Sequence, residues 1–181
     1  MKRLITLSVK SARLKFIGCG PECISRGCVS KCCNAPTSEL GIKITILPDE
    51  VKRVEDRGGV VIDGYLQPRE GERVCPFKNS DYLCTLHGTD FKPLGCIVSP
   101  FMLTKNNTLT VRNRYKLLPC YSPEEGEPAY RVFKSSLVRI FGPDKALILE
   151  ELLDNGAVRN IPVSIEEDIY NNLMHRETIL K

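Results

Sequence analysis

The sequence predicts an α+β fold, in which a small, irregular, cysteine-rich region contains a short antiparallel sheet and is followed by carboxy-terminal helices. Cysteine is confined to the first two thirds of the chain and last occurs at Cys120. In that region, short strand-like runs alternate with loops rich in Gly and Pro. From about Ala129 onward, apolar residues recur at helical spacing. We therefore expect residues 1–128 to form a cysteine-bearing region and residues 129–181 a helical region packed on it, within one domain.

The first part of the chain contains short predicted strands and one short helix. The opening MKRLITLSVK has an apolar run from Leu4 to Val9. It is too short for a secretory signal, so we expect a strand there. IKITIL, Ile42 to Leu47, alternates as a strand, and Pro48 opens the helix DEVKRVEDR, which ends at Gly58 and Gly59. GVVIDGYLQ predicts one further strand.

A β-hairpin is predicted by two strand-like runs in PFMLTKNNTLTVRNRYKL, which flank the turn residues 105–107. Beyond the turn, Arg112, Arg114 and Lys116 stand at alternate positions, as on the solvated face of a strand. The net charge is only +4, and the basic residues are scattered among 22 acidic ones. This charge balance does not support a nucleic-acid partner.

Three scaffold helices are predicted after Ala129. AYRVFKSSLVRIFG carries an apolar stripe and ends at Gly142. PDKALILEELLDNG has Pro143 in its first turn, where proline is favourable. In SIEEDIYNNLMHRETILK, Ser164 and Glu167 predict a capping box that starts the last helix.

The overall composition is that of an ordinary globular protein. Hydrophobic residues make up 42% of the chain and charged residues 27%, and no apolar stretch approaches the length of a membrane span. Without a recognisable signal sequence, we expect a cytoplasmic protein with no membrane association. Its 181 residues are enough to bury a hydrophobic core without disulfide bonds.

The cysteines are the feature that most directly indicates a function. They stand at nine positions: Cys19, Cys23, Cys28, Cys32, Cys33, Cys75, Cys84, Cys96 and Cys120. The first five fall within the stretch CGPECISRGCVSKCC. Three uses compete for them: disulfide bonds, a redox or nucleophilic thiol, and metal ligation.

Disulfides and a catalytic thiol explain the pattern less well than metal ligation. The odd number of cysteines and the missing secretory signal weaken the disulfide interpretation, although intracellular proteins of hyperthermophiles keep it open. A catalytic thiol needs a base, and the chain contains only His87 and His175. His87 follows Cys84 by three residues, so it could lower the pKa of that thiol or share a metal.

Metal ligation fits the spacing best, because several thiolates converge favourably only around a centre that absorbs their charge. Three pairs are close enough in sequence to hold two potential ligands near each other before a metal binds: Cys19 with Cys23, Cys28 with Cys32, and Cys84 with His87. The binding free energy of structural zinc in small peptides is about 10 to 16 kcal/mol, whereas one disulfide stabilises a fold by roughly 3 kcal/mol. Consecutive side chains point apart in extended backbone, so Cys32 and Cys33 serve two centres, or one of them is a spectator.

Several blocks of the sequence, in order, are similar to those of one known family. An amino-terminal cluster ends in a double cysteine and is followed by ITILPDEVKRV. The later blocks are CPF (75–77), YLCTLHG (82–88), KPLGCIVSPF (92–101) and a final LPCYS. In these blocks the chain resembles the CxxCxxCC cysteine-cluster proteins, a family of zinc- or iron-chelating domains. The resemblance covers about Cys19 to Cys120 and leaves the helical tail outside.

The resemblance implies that the cysteines are metal ligands. The expected principal ligands are Cys32, Cys33, Cys75, Cys84, Cys96 and Cys120. Cys19, Cys23 and Cys28 would supply the remainder, and the first cluster is looser than the family's pattern, so which of these three bind stays open. Relatives include a domain of flagellin lysine methylases, but the chain has no G-x-G-x-x-G cofactor signature, and we do not carry methyl transfer over.

Soft thiolates and the excess of cysteine favour an iron–sulfur cluster of the 4Fe–4S type, with zinc as the alternative. Apolar residues next to the cysteines would shield such a cluster from solvent. We therefore expect a metal-cluster protein that transfers electrons, senses redox state or delivers a cluster, with a redox or protein partner. The alternatives are a structural-zinc module that binds protein or nucleic acid, and a metal-dependent enzyme whose centre keeps an open coordination position.

Overall fold

The computed structural model describes residues 1–8, 14–18, 25, 27, 44–72, 74–155 and 160–174. Contacts divide the chain into two compact units. The first comprises Met1–Gly27 and Ile97–His175, and the second comprises Cys28–Cys96 and Arg176–Lys181. The predicted division at residue 128 is a different one and stays a prediction.

Short elements make up both units. The strands are β1 (Lys2–Ser8), β2 (Lys15–Phe16), β3 (Val61–Ile62), β4 (Tyr65–Leu66), β5 (Phe101–Leu103), β6 (Leu109–Val111), β7 (Glu127–Pro128) and β8 (Asn160–Glu166). The α-helices are α1 (Val51–Glu55), α2 (Leu94–Val98), α3 (Ala129–Val132), α4 (Lys134–Phe141), α5 (Pro143–Asp154) and α6 (Glu167–Met174). Within the described ranges, the strands pair antiparallel in two-stranded sheets, β1 with β8, β2 with β7, β3 with β4 and β5 with β6. The α+β class with short antiparallel sheets is confirmed, as are the amino-terminal strand and the hairpin around residues 105–107.

In the first unit, the apolar alternation of β1 and β8 produces a buried sheet face. Ile5 lies opposite Val163 in the antiparallel register. Ile5, Leu7, Val163 and Ile165 are all buried, and they share one face because side chains alternate along a strand. α4 packs against α5 and β8, as expected of a scaffold helix. In the described part of the chain, we find no helix with the length and apolar character needed to cross a membrane.

Aromatic rings form a second focus of the first unit. The rings belong to Phe16, Phe101, Tyr115, Tyr121 and Phe133, and neighbouring centroids lie 5.5 to 6.3 Å apart. Most of these pairs meet edge to face or tilted, the arrangement that aromatic quadrupoles favour. Strand β2 and the 3₁₀ helix Asn113–Leu117 thus contribute to one packed cluster.

One predicted carboxy-terminal helix is divided in the structure. AYRVFKSSLVRIFG forms both α3 and α4, because Phe133 leaves helical geometry with φ −107° and ψ 33°. The ring of Phe133 packs there against Phe16 and Phe101. The predicted end at Gly142, whose φ is 82°, and the start of α5 at Pro143 are confirmed.

The capping box predicted at Ser164 is wrong. Ser164 lies in β8, opposite Leu4 of β1, and α6 begins three residues later at Glu167. Buried Val163 and Ile165 flank the exposed Ser164, so burial with a period of two holds this segment in the sheet. Tertiary pairing outweighs the local capping preference here.

The basic stripe Arg112, Arg114 and Lys116 is not a solvated strand face, and that interpretation is wrong. β6 ends before it, and Asn113–Leu117 forms a 3₁₀ helix. Arg112 is buried, and its guanidinium Nη2 donates a hydrogen bond of 2.9 Å to the carbonyl oxygen of Asn172. The alternation therefore reflects a change of backbone geometry rather than exposure on one side.

The second unit begins, in its described part, with an extended segment. Thr45 forms an isolated antiparallel bridge with Tyr65, and the Ile46 N–H donates to the Gly64 carbonyl at 2.8 Å. The strand predicted from Ile42 is seen only as this bridge, and residues 42 and 43 lie outside the described part. α1 forms in the segment after Pro48, as predicted, but is shorter than expected.

The segment GVVIDGYLQ, predicted as a single strand, is a hairpin. β3 and β4 are joined by Asp63 and Gly64, whose φ angles are 51° and 77°. Two consecutive left-handed residues make a type I′ turn, whose twist matches that of the flanking strands. The Asp-Gly pair was the signal for this turn.

Candidate metal centre

The structure describes four of the nine cysteines. Cys75, Cys84 and Cys96 belong to the second unit, and Cys120 belongs to the first. The predicted ligands that lie outside the described residues are Cys19, Cys23, Cys28, Cys32 and Cys33. His175 also lies outside them.

The three described cysteines of the second unit share one hydrophobic cluster. The cluster consists of Ile44, Ile46, Val54, Leu66, Cys75, Phe77 and Leu86. Cys75 is a buried member of it, whereas Cys84 and Cys96 are partly buried and pack against it. Cys75 and Cys84 lie in turns and Cys96 lies in helix α2, so tertiary folding brings them to the same core.

A tight turn fixes the backbone of Cys75. The carbonyl oxygen of Cys75 accepts a hydrogen bond of 3.1 Å from the Lys78 N–H, which closes the turn Cys-Pro-Phe-Lys. Proline at the second turn position supplies the φ angle that such turns require. The Arg69 side chain stabilises this turn, because its Nη2 donates hydrogen bonds to the Lys78 carbonyl at 2.9 Å and to the Pro76 carbonyl at 3.5 Å.

Cys84 is joined to the Cys75 turn by backbone pairing. Lys78 and Cys84 form an isolated antiparallel bridge, and the Thr85 N–H donates to the Phe77 carbonyl at 2.8 Å. Between the two, Asn79 Oδ1 accepts hydrogen bonds from backbone N–H groups of the connecting loop, including that of Leu83 at 2.9 Å. Cys75 and Cys84 therefore lie on adjoining turns of one small structure.

Cys96 lies in the short helix α2. Its N–H donates to the Pro93 carbonyl at 3.0 Å. The first N–H of the helix, that of Leu94, donates to Oε1 of the buried Glu50 at 2.9 Å. Glu50 therefore ties α2 to the segment before α1, although the two are 44 residues apart in sequence.

His87 is held in the turn that begins at Cys84, since its N–H donates to the Cys84 carbonyl at 3.1 Å. The Lys92 ammonium lies 3.4 Å from His87 Nδ1. The positive charge of Lys92, and next partial burial, lower the pKa of the His87 imidazole from its ordinary value. Lys92 engages one ring nitrogen and would repel a metal cation, so the geometry favours the turn role of His87 over ligation.

Cys120 is buried in the first unit. Its carbonyl oxygen accepts a hydrogen bond of 2.9 Å from the Ile17 N–H. The neighbouring Tyr121 forms a bridge with Phe16, and their rings pack with centroids 5.6 Å apart. The surroundings of Cys120 are thus those of the aromatic cluster.

The described residues do not complete a metal site. Among them, no group of three or more His, Cys, Asp or Glu side chains is placed so that it could hold a metal ion. Three thiols at one apolar cluster are a donor set that suits soft metals and iron–sulfur clusters. Further ligands from the predicted amino-terminal cluster would be needed, and they lie outside the described residues.

Sequence reasoning missed three residues that hold the described cysteines in place, namely Glu50, Arg69 and Gly95. Glu50 and Arg69 are part of an ordinary pattern of surface charge in the sequence, and only their partners distinguish them. Gly95, directly before Cys96, was the one available signal, since a glycine beside a functional residue often marks close approach of two backbones.

No family model, no curated protein and no solved structure matches the chain.

Proposed function

We propose that the chain binds an iron–sulfur cluster of the 4Fe–4S type through its cysteines and acts in electron transfer, redox sensing or cluster delivery. The observation that carries this proposal is that Cys75 and Cys84, on adjoining turns, and Cys96, in helix α2, pack at one hydrophobic cluster. The resemblance to CxxCxxCC proteins belongs to the same proposal. A cytoplasmic location would keep these thiols reduced.

Physical chemistry explains why this arrangement supports a bound centre. A thiolate in apolar surroundings is costly unless a cation or cluster compensates its charge. Cys75 is almost fully buried, and Cys84 and Cys96 are partly buried at the same core. The remaining ligands would come from the amino-terminal cysteines, with Cys32 and Cys33 as the leading candidates.

Nucleic-acid binding, part of the zinc-module alternative, has only part of its predicted basic surface available, because Lys116 is exposed but Arg114 is half-buried. The basic stripe was the only one-sided basic feature in the sequence, and Arg112 at its start is buried. Structural zinc stays open, because zinc takes the same thiolate ligands. Enzymatic activity has no specific observation in its favour.

The first experiment is metal analysis of the full chain purified without oxygen. Brown protein with iron, acid-labile sulfide and visible absorbance that bleaches on reduction would support the proposal. Colourless protein with stoichiometric zinc would support the structural-zinc alternative. Protein that takes up neither metal after reconstitution would contradict both.

Single substitutions then identify the ligands. Cys75→Ser, Cys84→Ser and Cys96→Ser should each lower bound metal at least about tenfold, since each removes a thiolate from the centre. Ser80→Ala, an exposed residue in the loop between Cys75 and Cys84, is the matched control and should leave the metal content unchanged. Equal metal content in all three cysteine variants and the control would contradict the ligand assignment.

A further inference from the structure

Helix α2 is too short to hold Cys96 in place by itself. It comprises five residues, and an isolated helix of that length is unstable in water. Its position must therefore come from tertiary contacts. Two such contacts act on Leu94 and Gly95, the residues directly before Cys96.

Glu50 provides the first contact. The residue is only 3% exposed, and its two carboxylate oxygens accept hydrogen bonds from different parts of the chain. Oε1 accepts the Leu94 N–H at 2.9 Å, and Oε2 accepts the Leu47 N–H at 3.1 Å. One carboxylate thus bridges the start of α2 to the extended segment that precedes α1.

The charge of Glu50 is compensated by Arg53. The Arg53 guanidinium forms an ion pair with Glu50 Oε1 and also donates to the Asp90 carbonyl at 3.4 Å. A buried carboxylate without a partner would be strongly unfavourable. Because it is paired, Glu50 can serve as a fixed acceptor near the proposed thiolate ligand.

Gly95 provides the second contact. A Cβ at this position would lie 2.3 Å from the Thr45 carbonyl oxygen and 3.0 Å from the Thr45 nitrogen. Both atoms belong to backbone, which cannot swing aside as a flexible side chain can. Only glycine therefore allows α2 to lie directly against the Thr45 segment.

We propose that Glu50 and Gly95 are positioning residues that set the place of the Cys96 thiol at the proposed metal centre. This inference rests on the proposed function for its purpose. Metal ligands must stand within about 0.2 Å of their ideal distance, so a helix that drifts would lose its ligand. Glu50 fixes the start of the helix, and Gly95 sets how closely it approaches the backbone beside the shared core.

The test compares two variants with a matched control. Glu50→Gln keeps the size of the side chain but places an NH2 group where one of the two N–H donors needs an acceptor. Gly95→Ala adds a methyl group against Thr45. Glu55→Gln removes an exposed carboxylate from helix α1, which begins directly after Glu50, and is the control.

The readout is the rate at which iodoacetamide alkylates Cys96, divided by the rate at Cys84 in the same metal-free molecules, with both sites followed by mass spectrometry. Loss of one hydrogen bond to a charged group is worth about a tenfold change in an opening equilibrium. We expect Glu50→Gln and Gly95→Ala to raise the ratio roughly tenfold, and Glu55→Gln to leave it unchanged.

A ratio that stays at the wild-type value in both variants would overturn the inference. General unfolding of a variant would raise the alkylation rates of Cys96 and Cys84 together and leave their ratio near the wild-type value. That outcome would also count against a specific role in positioning Cys96. If wild type binds no metal, the proposed function fails while the alkylation ratio still decides the positioning of Cys96. If Cys96→Ser binds as much metal as wild type, Cys96 is not a ligand and the purpose inferred for its positioning fails. If metal binds and the ratio does not change, only the positioning inference fails.

Discussion

The two units differ in what holds them together. Large, fully buried side chains are concentrated in the first unit: Phe16, Phe101, Leu7, Leu103, Leu109, Leu137, Leu149, Ile165, Ile169 and Leu173. Among the described residues of the second unit, only Leu66 is a comparably large and fully buried side chain. The core cluster of that unit includes a cysteine, Cys75, and two more cysteines pack against it.

This difference indicates two sources of stability. Burying one Leu or Phe side chain contributes about 1.5 to 3 kcal/mol, so the first unit can offset its loss of chain entropy with apolar area. A unit in which few large side chains are fully buried is closer to the range where small domains use metals or disulfides. We therefore expect the second unit to depend on the proposed metal centre far more than the first unit does.

Removing the metal should have the largest effect and should separate the units. In the metal-loaded protein, chelation under reducing conditions should lower the protection of second-unit amides such as Leu66 and Thr85 at least about a hundredfold in hydrogen exchange. First-unit amides such as Arg112 and Ala146, which are also hydrogen-bonded, should keep their protection. Equal losses in both units, or none in either, would contradict the comparison.

A core truncation in the first unit should act without regard to metal. Phe101 is fully buried, and Phe101→Ala should lower the free energy of unfolding by about 3 to 5 kcal/mol. The loss should be the same before and after chelation, as measured by urea denaturation followed through first-unit amides. Leu117→Ala truncates a first-unit side chain that is 67% exposed and should cost much less. If the loss of unfolding free energy in Phe101→Ala changes after chelation, the first unit also depends on metal and the distinction between the units is wrong.

Overpacking the second unit should give a smaller loss. A Cβ on Gly59 would lie 2.7 Å from Val54 Cγ1 and 2.9 Å from Phe77 Cζ, so Gly59→Ala should cost about 1 to 3 kcal/mol. Val60→Ala changes an exposed neighbour and should stay within about 0.5 kcal/mol of wild type. Exchange of second-unit amides measures both. A neutral Gly59→Ala would mean that this core is looser than its contacts indicate.

The smallest effect concerns a pH-dependent contact in the first unit. Tyr130 Oη donates a 2.6 Å hydrogen bond to Asp154 Oδ1. This bond, and next the Arg131 guanidinium, hold the pKa of Asp154 below its usual value. Because the folded pKa is lowered, the associated stability is present above the unfolded pKa of about 3.9 and is lost as the pH falls through the folded pKa.

Tyr130→Phe should therefore shift the urea midpoint slightly at pH 7, and the difference from wild type should shrink as the pH falls below about 4. Tyr170→Phe, which removes a longer hydrogen bond of 3.3 Å to Asn107, is the control and should show no such pH dependence. A difference that grows on acidification would show that the sign assigned to Asp154 is wrong.

Elements defined by local pattern were predicted well. The hairpin of β5 and β6, helix α5 and its start at Pro143 follow from alternation, helical spacing and proline chemistry. Ser164 was misassigned because its segment fits both the start of a helix and the alternating pattern of a strand. Pairing of β8 with the distant β1 decides for the strand. Arg112 was misassigned because the sequence does not mark the change from strand to 3₁₀ helix.

In the candidate site, too, some features are evident from the sequence and others only from the fold. The nine thiols and their grouping into loops are evident from the sequence, since cysteine has a distinct chemistry wherever it occurs. Which of them share a core is not evident, because Cys75, Cys84 and Cys96 each have different neighbours along the chain. The roles of Glu50 and Arg69 depend on acceptors and donors far from them in sequence.

By itself, the sequence determined the supply of soft ligands, the helical character of the carboxy-terminal part and the turns where Gly and Pro restrict the backbone. Only the tertiary structure decided that two turns and a short helix bring three cysteines to one apolar cluster, that a buried carboxylate holds the helix of Cys96 from 44 residues away, and that Arg112 of the basic stripe is buried. The physical reason is that propensity and periodicity act over a few neighbouring residues, whereas burial and long-range hydrogen bonds depend on the whole fold.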